Sequence, residues 1–136
     1  MEQNILSLGS EKFQKKILYH IFYSDFPKDI AQSLEPQHFT EEKHKIIFKV
    51  TKDYLNEFKV LPNIENIAET IWNNKTNTKE QRKAWVKELS SLKDLNLDII
   101  NGKEKNDFEF IKKKLLEIFN LFVKSSQSPF SKIINR

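Results

Sequence analysis

Cysteine is absent from the 136 residues, which excludes disulfides and thiolate metal sites and leaves nothing that points to an oxidising compartment. Glycine is nearly absent as well, with Gly9 and Gly102 the only two. A phosphate-cradling Walker loop requires Gly-x-x-x-x-Gly-Lys-Ser/Thr, and two glycines so far apart cannot form one, which excludes ATP hydrolysis by this chain. Four prolines leave long stretches of good helix formers uninterrupted. Alternating Val/Thr/Tyr runs are missing, and the single hairpin-type dipeptide, Asn101-Gly102, is flanked by charge rather than by strands. No segment reaches the roughly eighteen apolar residues needed to cross a bilayer, and no basic region followed by an apolar run opens the chain. These absences point to an all-α protein of the cytoplasm.

What the chain has is length for one domain, or a compact domain with an appendage, burying roughly two thirds of its unfolded surface. Eleven Phe within a 38% apolar fraction supply the large side chains of a core. The net charge of +4 arises from 23 basic against 19 acidic residues. Their signs are interspersed, so the expected attraction to DNA is weak or indirect.

The apolar spacing predicts a helical bundle over 10–95, preceded by a tail at 1–9. The first helix is capped by Ser10 and carries Phe13, Ile17 and Ile21 on one side. Pro27 opens a short second helix with Ile30, Ala31 and Leu34 inward. Thr40 is the expected cap of a third, with Glu41 and Glu42 in its first turn. Its inner stripe is His44, Ile47, Phe48, Thr51, Tyr54, Leu55 and Phe58. Asn63 caps a fourth, bearing Ile64, Ile67, Ala68, Ile71 and Trp72. Thr78 and Gln81 form a capping box for a fifth, whose inner face is Trp85, Val86, Leu89 and Leu92, with its end placed at Leu95. A connector, 96–106, holds Leu97, Ile99 and Ile100. A second capping box, Asn106 to Glu109, starts a long last helix over 107–125, and 126–136 reads as a linker or tail.

That last helix is apolar nearly all round, with Phe108, Phe110, Ile111, Leu115, Leu116, Ile118, Phe119 and Phe122 among its residues. An amphipathic helix on a small core needs one stripe, so this one should have two packing partners, the second being another copy of the chain. The expected oligomer interface is Phe108, Ile111, Leu115, Ile118, Phe119 and Phe122.

Signs of chemistry are few. The stretch from Leu34 to Phe48 holds His38, His44 and three glutamates, yet a metal site needs a third converging ligand beyond Glu41 and His44, and none is evident. Capping and core roles account for these residues, with His44 bonding a neighbouring backbone group. There is no Gly-x-Ser-x-Gly, no His-Glu-x-x-His and no carboxylate pair isolated in an apolar run, so no catalytic, cofactor or metal residue is expected. Lys112, Lys113 and Lys114 point about 100° apart on a helix and cannot line one groove. Phe22, Tyr23, Tyr54 and Phe58 fall mostly on core stripes rather than forming base-stacking platforms.

Leu34, Pro36, Phe39, His44, Ile47 and Phe48 reproduce Leu-x-Pro-x-x-Phe-x-x-x-x-His-x-x-Ile-Phe, and Leu61-Pro62-Asn63 through Ile67 follows. This order resembles the N-terminal collar domain of DnaB-type replicative DNA helicases. The spacing after Trp72 and the helix from Phe108 look more like the phage helicases of the T-even kind. The resemblance covers about Lys12 to Ser125. It implies a helical bundle of about five helices followed by a long helix serving as one arm of a subunit-pairing hairpin. It further implies a non-catalytic role: pairing subunits in a ring and docking primase or a helicase loader during DNA replication. No cofactor is implied for this chain, since ATP and Mg would belong to the ATPase domain of a parent helicase. That ATPase half and an obvious second hairpin arm are missing from the pattern. Two alternatives remain. One is the helicase-binding domain of a primase, against which the early start of the pattern argues. The other is a small stand-alone DNA-binding or inhibitory phage protein, against which the weak charge clustering argues.

Overall fold

The computed structural model describes residues 8–125, with side chains through Asn120. The fold is all-helical, as expected. Its elements are α1 (Glu11–Tyr23), α2 (Lys28–Ser33), a 3-10 turn at Pro36–His38, α3 (Glu42–Phe58), α4 (Ile64–Asn73), α5 (Lys79–Ile100) and α6 (Phe108–Ser125). Helices α1, α3 and α5 pack on one another, α4 lies along α3 and α5, α2 touches α3, and α6 is laid against α1. Residues 1–7 of the expected tail 1–9, and the expected linker or tail 126–136, lie outside the described residues.

Local signals set most helix starts. Ser10 Oγ accepts the Phe13 N–H at 3.1 Å, and Asn63 Oδ1 accepts that of Asn66 at 2.8 Å. Thr78 and Gln81 form the reciprocal box, with bonds of 3.1 and 3.0 Å. Each satisfies N–H groups that a helix leaves unpaired at its start. Pro27 sits one residue earlier than expected, at the N-cap of α2, where its carbonyl accepts the Ala31 N–H.

Thr40 is a correction. Helix α3 starts at Glu42 with Glu41 as its cap residue and no side-chain capping bond. Thr40 turns instead toward α1, where its N–H donates to Gln14 Oε1 at 2.9 Å. The Gln14 amide donates in turn to Gly9 O at 2.6 Å and to Thr40 Oγ1 at 3.2 Å. Gln14 is fully buried, and a buried amide left unpaired costs more than an exposed helix start left to water. The long-range requirement therefore overrides the local one.

Two further boundaries move. Leu8 is not a tail residue: it is fully buried, and its N–H donates to His38 O at 3.1 Å. Helix α5 continues past Leu95 to Ile100, taking in 96–100 of the expected connector 96–106. Leu97 and Ile100 are exposed there, while Ile99 packs on the core and Asn96 Oδ1 accepts the Tyr19 hydroxyl of α1 at 2.8 Å, so these last turns are held by those contacts and by a well-formed stop. The stop is a Schellman closure: Gly102 adopts φ 79°, its N–H bonds Ile99 O, and the Lys103 N–H bonds Asp98 O.

Ile17, Leu18, Ile47, Phe48, Leu55, Ile67, Leu89 and Leu92 form the centre of the core. Phe39 and Phe48 meet with ring centroids 5.2 Å apart. Each such side chain contributes about 1.5–3 kcal/mol through burial. Trp85 is enclosed at 4% exposure, whereas Trp72 is 40% exposed. Arg82 lies over the Trp72 ring at 5.0 Å and donates to its carbonyl at 2.7 Å, clasping the α4–α5 turn. Phe58, expected inward, is exposed in the last turn of α3, its ring tilted against that of the half-buried Tyr54 with centroids 4.6 Å apart. No helix among the described residues is long and apolar enough to cross a membrane.

Candidate interaction surface

Helix α6 is fixed to the bundle at its first residues. Asn106 Oδ1 accepts the Phe108 N–H at 3.1 Å. Glu109, the expected far side of a capping box, stands beside Lys112 at 3.4 Å. Asp107 reaches across to α1, where Lys16 Nζ lies 2.7 Å from one carboxylate oxygen and His20 Nε2 3.3 Å from the other. His20 is fully buried, and its Nδ1 meets Ser24 Oγ at 2.7 Å. Burial pushes the His20 imidazole below its ordinary pKa despite the Asp107 hydrogen bond. Burial would raise Asp107, but the Lys16 and His20 hydrogen bonds outweigh it and hold the carboxyl below its usual value. The Phe108 ring closes the joint, 5.0 Å from His20 and 6.4 Å from Phe26.

Beyond the joint the helix divides. Ile111, Leu115 and Phe119 are 2%, 0% and 0% exposed and belong to the chain's own core. Within the single chain they are covered, at positions expected on an oligomer interface, so any pairing through them would have to open the core. Phe108 and Ile118 are half-buried against that core, as is Leu116. The expected Phe122 lies outside the described side chains. Phe110, not among the expected interface residues, is 55% exposed. It borders an apolar concavity of about 420 Å³, whose opposite wall is Leu8, Gly9 and Phe13. Lys114 Nζ sits 5.8 Å from the Phe110 ring and 3.4 Å from Glu117. Among the described side chains of α6, through Asn120, the apolar surplus is a half-covered flank centred on Phe110.

The histidine-rich stretch resolves into separate roles. His38 Nδ1 accepts the Glu35 N–H at 3.0 Å, and Glu35 pairs with Lys52 at 2.7 Å. His44 does not bond a backbone group as expected: its Nε2 lies 2.8 Å from Glu88 Oε2 on α5, with both residues buried. Among the described residues no three His, Asp or Glu side chains converge as metal ligands. Burial would raise the Glu88 carboxyl, but the His44 hydrogen bond and the charges of Lys15 and Lys43 more than offset it, so its pKa is lowered. Glu88 was legible in principle, since it is a carboxylate on the apolar stripe of Trp85, Leu89 and Leu92.

The pattern residues Leu34, Phe39, His44, Ile47 and Phe48 are all buried, Pro36 opens the 3-10 turn, and Pro62 is buried ahead of α4. They are structural: together they set the turn into α3 and its packed face. Lys112 lies 5.1 Å from the Phe108 ring, Lys114 pairs with Glu117, and Lys113 is exposed, so the three lysines address different surroundings. No family model, no curated protein and no solved structure matches this chain.

Proposed function

We propose that the chain is a non-catalytic, ring-organising domain of a DnaB-type replicative DNA helicase, acting in the cytoplasm of a bacterial or phage-infected cell. In this reading α6 pairs subunits, and the bundle offers a docking surface to primase or a helicase loader. ATP and Mg belong to the ATPase domain of a parent helicase, and contact with DNA is weak or indirect. The observation that carries the reading is the division of α6. The helix is laid against α1 with Ile111, Leu115 and Phe119 in the core, while Phe110 remains 55% exposed beside an apolar concavity. Exposed apolar surface of this kind, rimmed by charge, marks protein contact sites. The ordered residues from Leu34 to Phe48, buried as one unit at the turn into α3, support the family resemblance.

Light scattering across a concentration series tests it. The expected result is a mass of two chains or more that rises with concentration, and a strictly monomeric chain at the highest concentration sinks the reading. The DNA-binding alternative predicts single-stranded oligonucleotide binding that weakens steeply between about 50 and 200 mM salt.

A further inference from the structure

We propose that the first half of α5, with the turn before it, is a surface for the phosphate backbone of single-stranded nucleic acid, gripped by Lys79, Lys83 and Lys87 beside the exposed indole of Trp72. This gives the weak DNA contact of the proposed function a place on the molecule, and it stands whether or not copies of the chain pair.

The balance of charge over the whole chain conceals a local excess. Residues 70–87 hold Lys75, Lys79, Arg82, Lys83 and Lys87 against one acid, Glu80, so the net charge of +4 resides in this segment and the rest of the chain is neutral. The flanking acids are Glu69 on α4 and Glu88, which is turned inward to His44. All four lysines are exposed, and Arg82 is half-buried. Lys16, Lys43, Lys52 and Lys112 each stand within ion-pair distance of a carboxylate, as does Lys93 farther along α5. Among the described residues none of the five cations in 70–87 does so.

Spacing sets three of them in a row. Positions 79, 83 and 87 are four apart, so successive lysines advance about 6 Å along α5 and rotate by only about 40°. Lys112, Lys113 and Lys114, consecutive in sequence, diverge and form no such row. The opposite stripe of α5, Trp85, Leu89 and Leu92, is in the core, which turns the lysine row outward. The Thr78 and Gln81 box fixes the helix start, and the positive end of the helix dipole adds to the potential there.

The chemistry of this face selects the partner. Gln81, Ala84 and Ser90 are its other exposed residues, and they are small or polar, whereas a protein interface is built on a desolvated apolar core. A string of phosphates needs only spaced cations. Trp72 then favours a single strand. Its ring is 40% exposed and is held by Arg82, which lies 5.0 Å over it and donates to its carbonyl. Arg82 stands one helical turn beyond Lys79, so the ring adjoins the row. A base of a single strand is free to stack on such a ring, while duplex bases are already stacked on one another.

The test is a titration of the full chain into a labelled oligothymidylate of about fifteen nucleotides, followed by anisotropy. Binding is expected at about 50 mM salt and should weaken roughly 20- to 50-fold by about 200 mM, the slope for three or four phosphates. Lys79→Gln, Lys83→Gln and Lys87→Gln together, all at exposed positions, should weaken binding about tenfold or more at the lower salt while leaving Tm unchanged. Lys112→Gln, Lys113→Gln and Lys114→Gln together remove the same charge from α6 and should change it by no more than about twofold. Tryptophan emission should be quenched by the unlabelled strand in the parent and not in Trp72→Phe, which keeps only the enclosed Trp85. No binding at the lower salt, or equal losses from the two triple variants, overturns the surface. Equal binding of a duplex without quenching overturns the single-strand assignment, and displacement of the strand by an oligoglutamate of equal charge assigns the row to an acidic protein segment instead. Light scattering on the same samples keeps the outcome separate from subunit pairing. Self-association without strand binding removes the surface and leaves the proposed function, whereas strand binding by a strictly monomeric chain keeps the surface and transfers it to the DNA-binding alternative.

Discussion

His44 on α3 and Glu88 on α5 share a buried 2.8 Å hydrogen bond across 44 residues of sequence. Glu88 Oε1 also lies 3.5 Å from Lys43, which in turn reaches Glu11 at 3.2 Å. The pair joins two helices at the centre of the bundle. His44 Nδ1 is buried with no hydrogen-bond partner among the described residues. This fits the tautomer in which Nε2 carries the proton and donates to the carboxylate, leaving Nδ1 a bare lone pair.

Breaking that pair from one side should be costly. Glu88→Ala is expected to lower the unfolding free energy by about 3 kcal/mol, because it strands the imidazole N–H in the interior. Replacing both residues with leucine should cost much less. Urea unfolding of the two variants and the parent decides the matter, and equal losses would contradict it.

Stability should fall in mild acid through His38. Burial lowers its pKa from 6.5 to about 4, and its Nδ1 must be unprotonated to accept the Glu35 N–H. The unfolded chain takes up the proton first. The stabilisation is therefore complete above pH 6.5 and is lost as pH falls toward about 4. Its full size is on the order of 3 kcal/mol. His20, also lowered, adds in the same direction. His38→Asn, which keeps an acceptor but does not titrate, should flatten that slope in thermal unfolding measured from pH 7 to 4.

Asp107 acts in a more acidic window. Its carboxyl is held below 3.8 in the folded chain, so the stabilisation is present above that value and lost as pH falls through the folded pKa. Asp107→Asn is expected to cost about 1–2 kcal/mol at neutral pH, by weakening the Lys16 and His20 contacts that seat α6. Hydrogen exchange should then quicken at the start of α6 before it quickens in α3.

The two sides of α6 should separate stability from assembly. Leu115→Ala removes a fully buried side chain and should cost about 2–5 kcal/mol. Phe110→Ala should change unfolding by no more than about 0.5 kcal/mol while weakening self-association. Paired denaturation and light-scattering curves distinguish them.

Helix starts were legible where the signal lies within one turn. Ser10, Asn63 and the Thr78 box depend only on neighbours three residues away. Thr40 was misplaced because its partner, Gln14, lies 26 residues away. The end of α5 was placed early at Leu95 because burial stops near there, whereas the helix stops only where Gly102 permits a left-handed residue. On α6, periodicity exposed an apolar excess without saying which side the core would claim. The answer depends on where Asp107 docks, and that docking pairs it with His20, 87 residues away. The Leu8 and Gly9 side of the concavity carried no local signal, since one buried leucine before a cap looks like the end of a tail.

The contrast between the two indoles has a practical use. Trp85 is sealed among the helices while Trp72 already meets water under Arg82. Opening the bundle would shift the fluorescence of Trp85 to the red, with a smaller change from Trp72, which is already 40% exposed. The native chain thus contains its own optical probe of bundle opening, without any added dye.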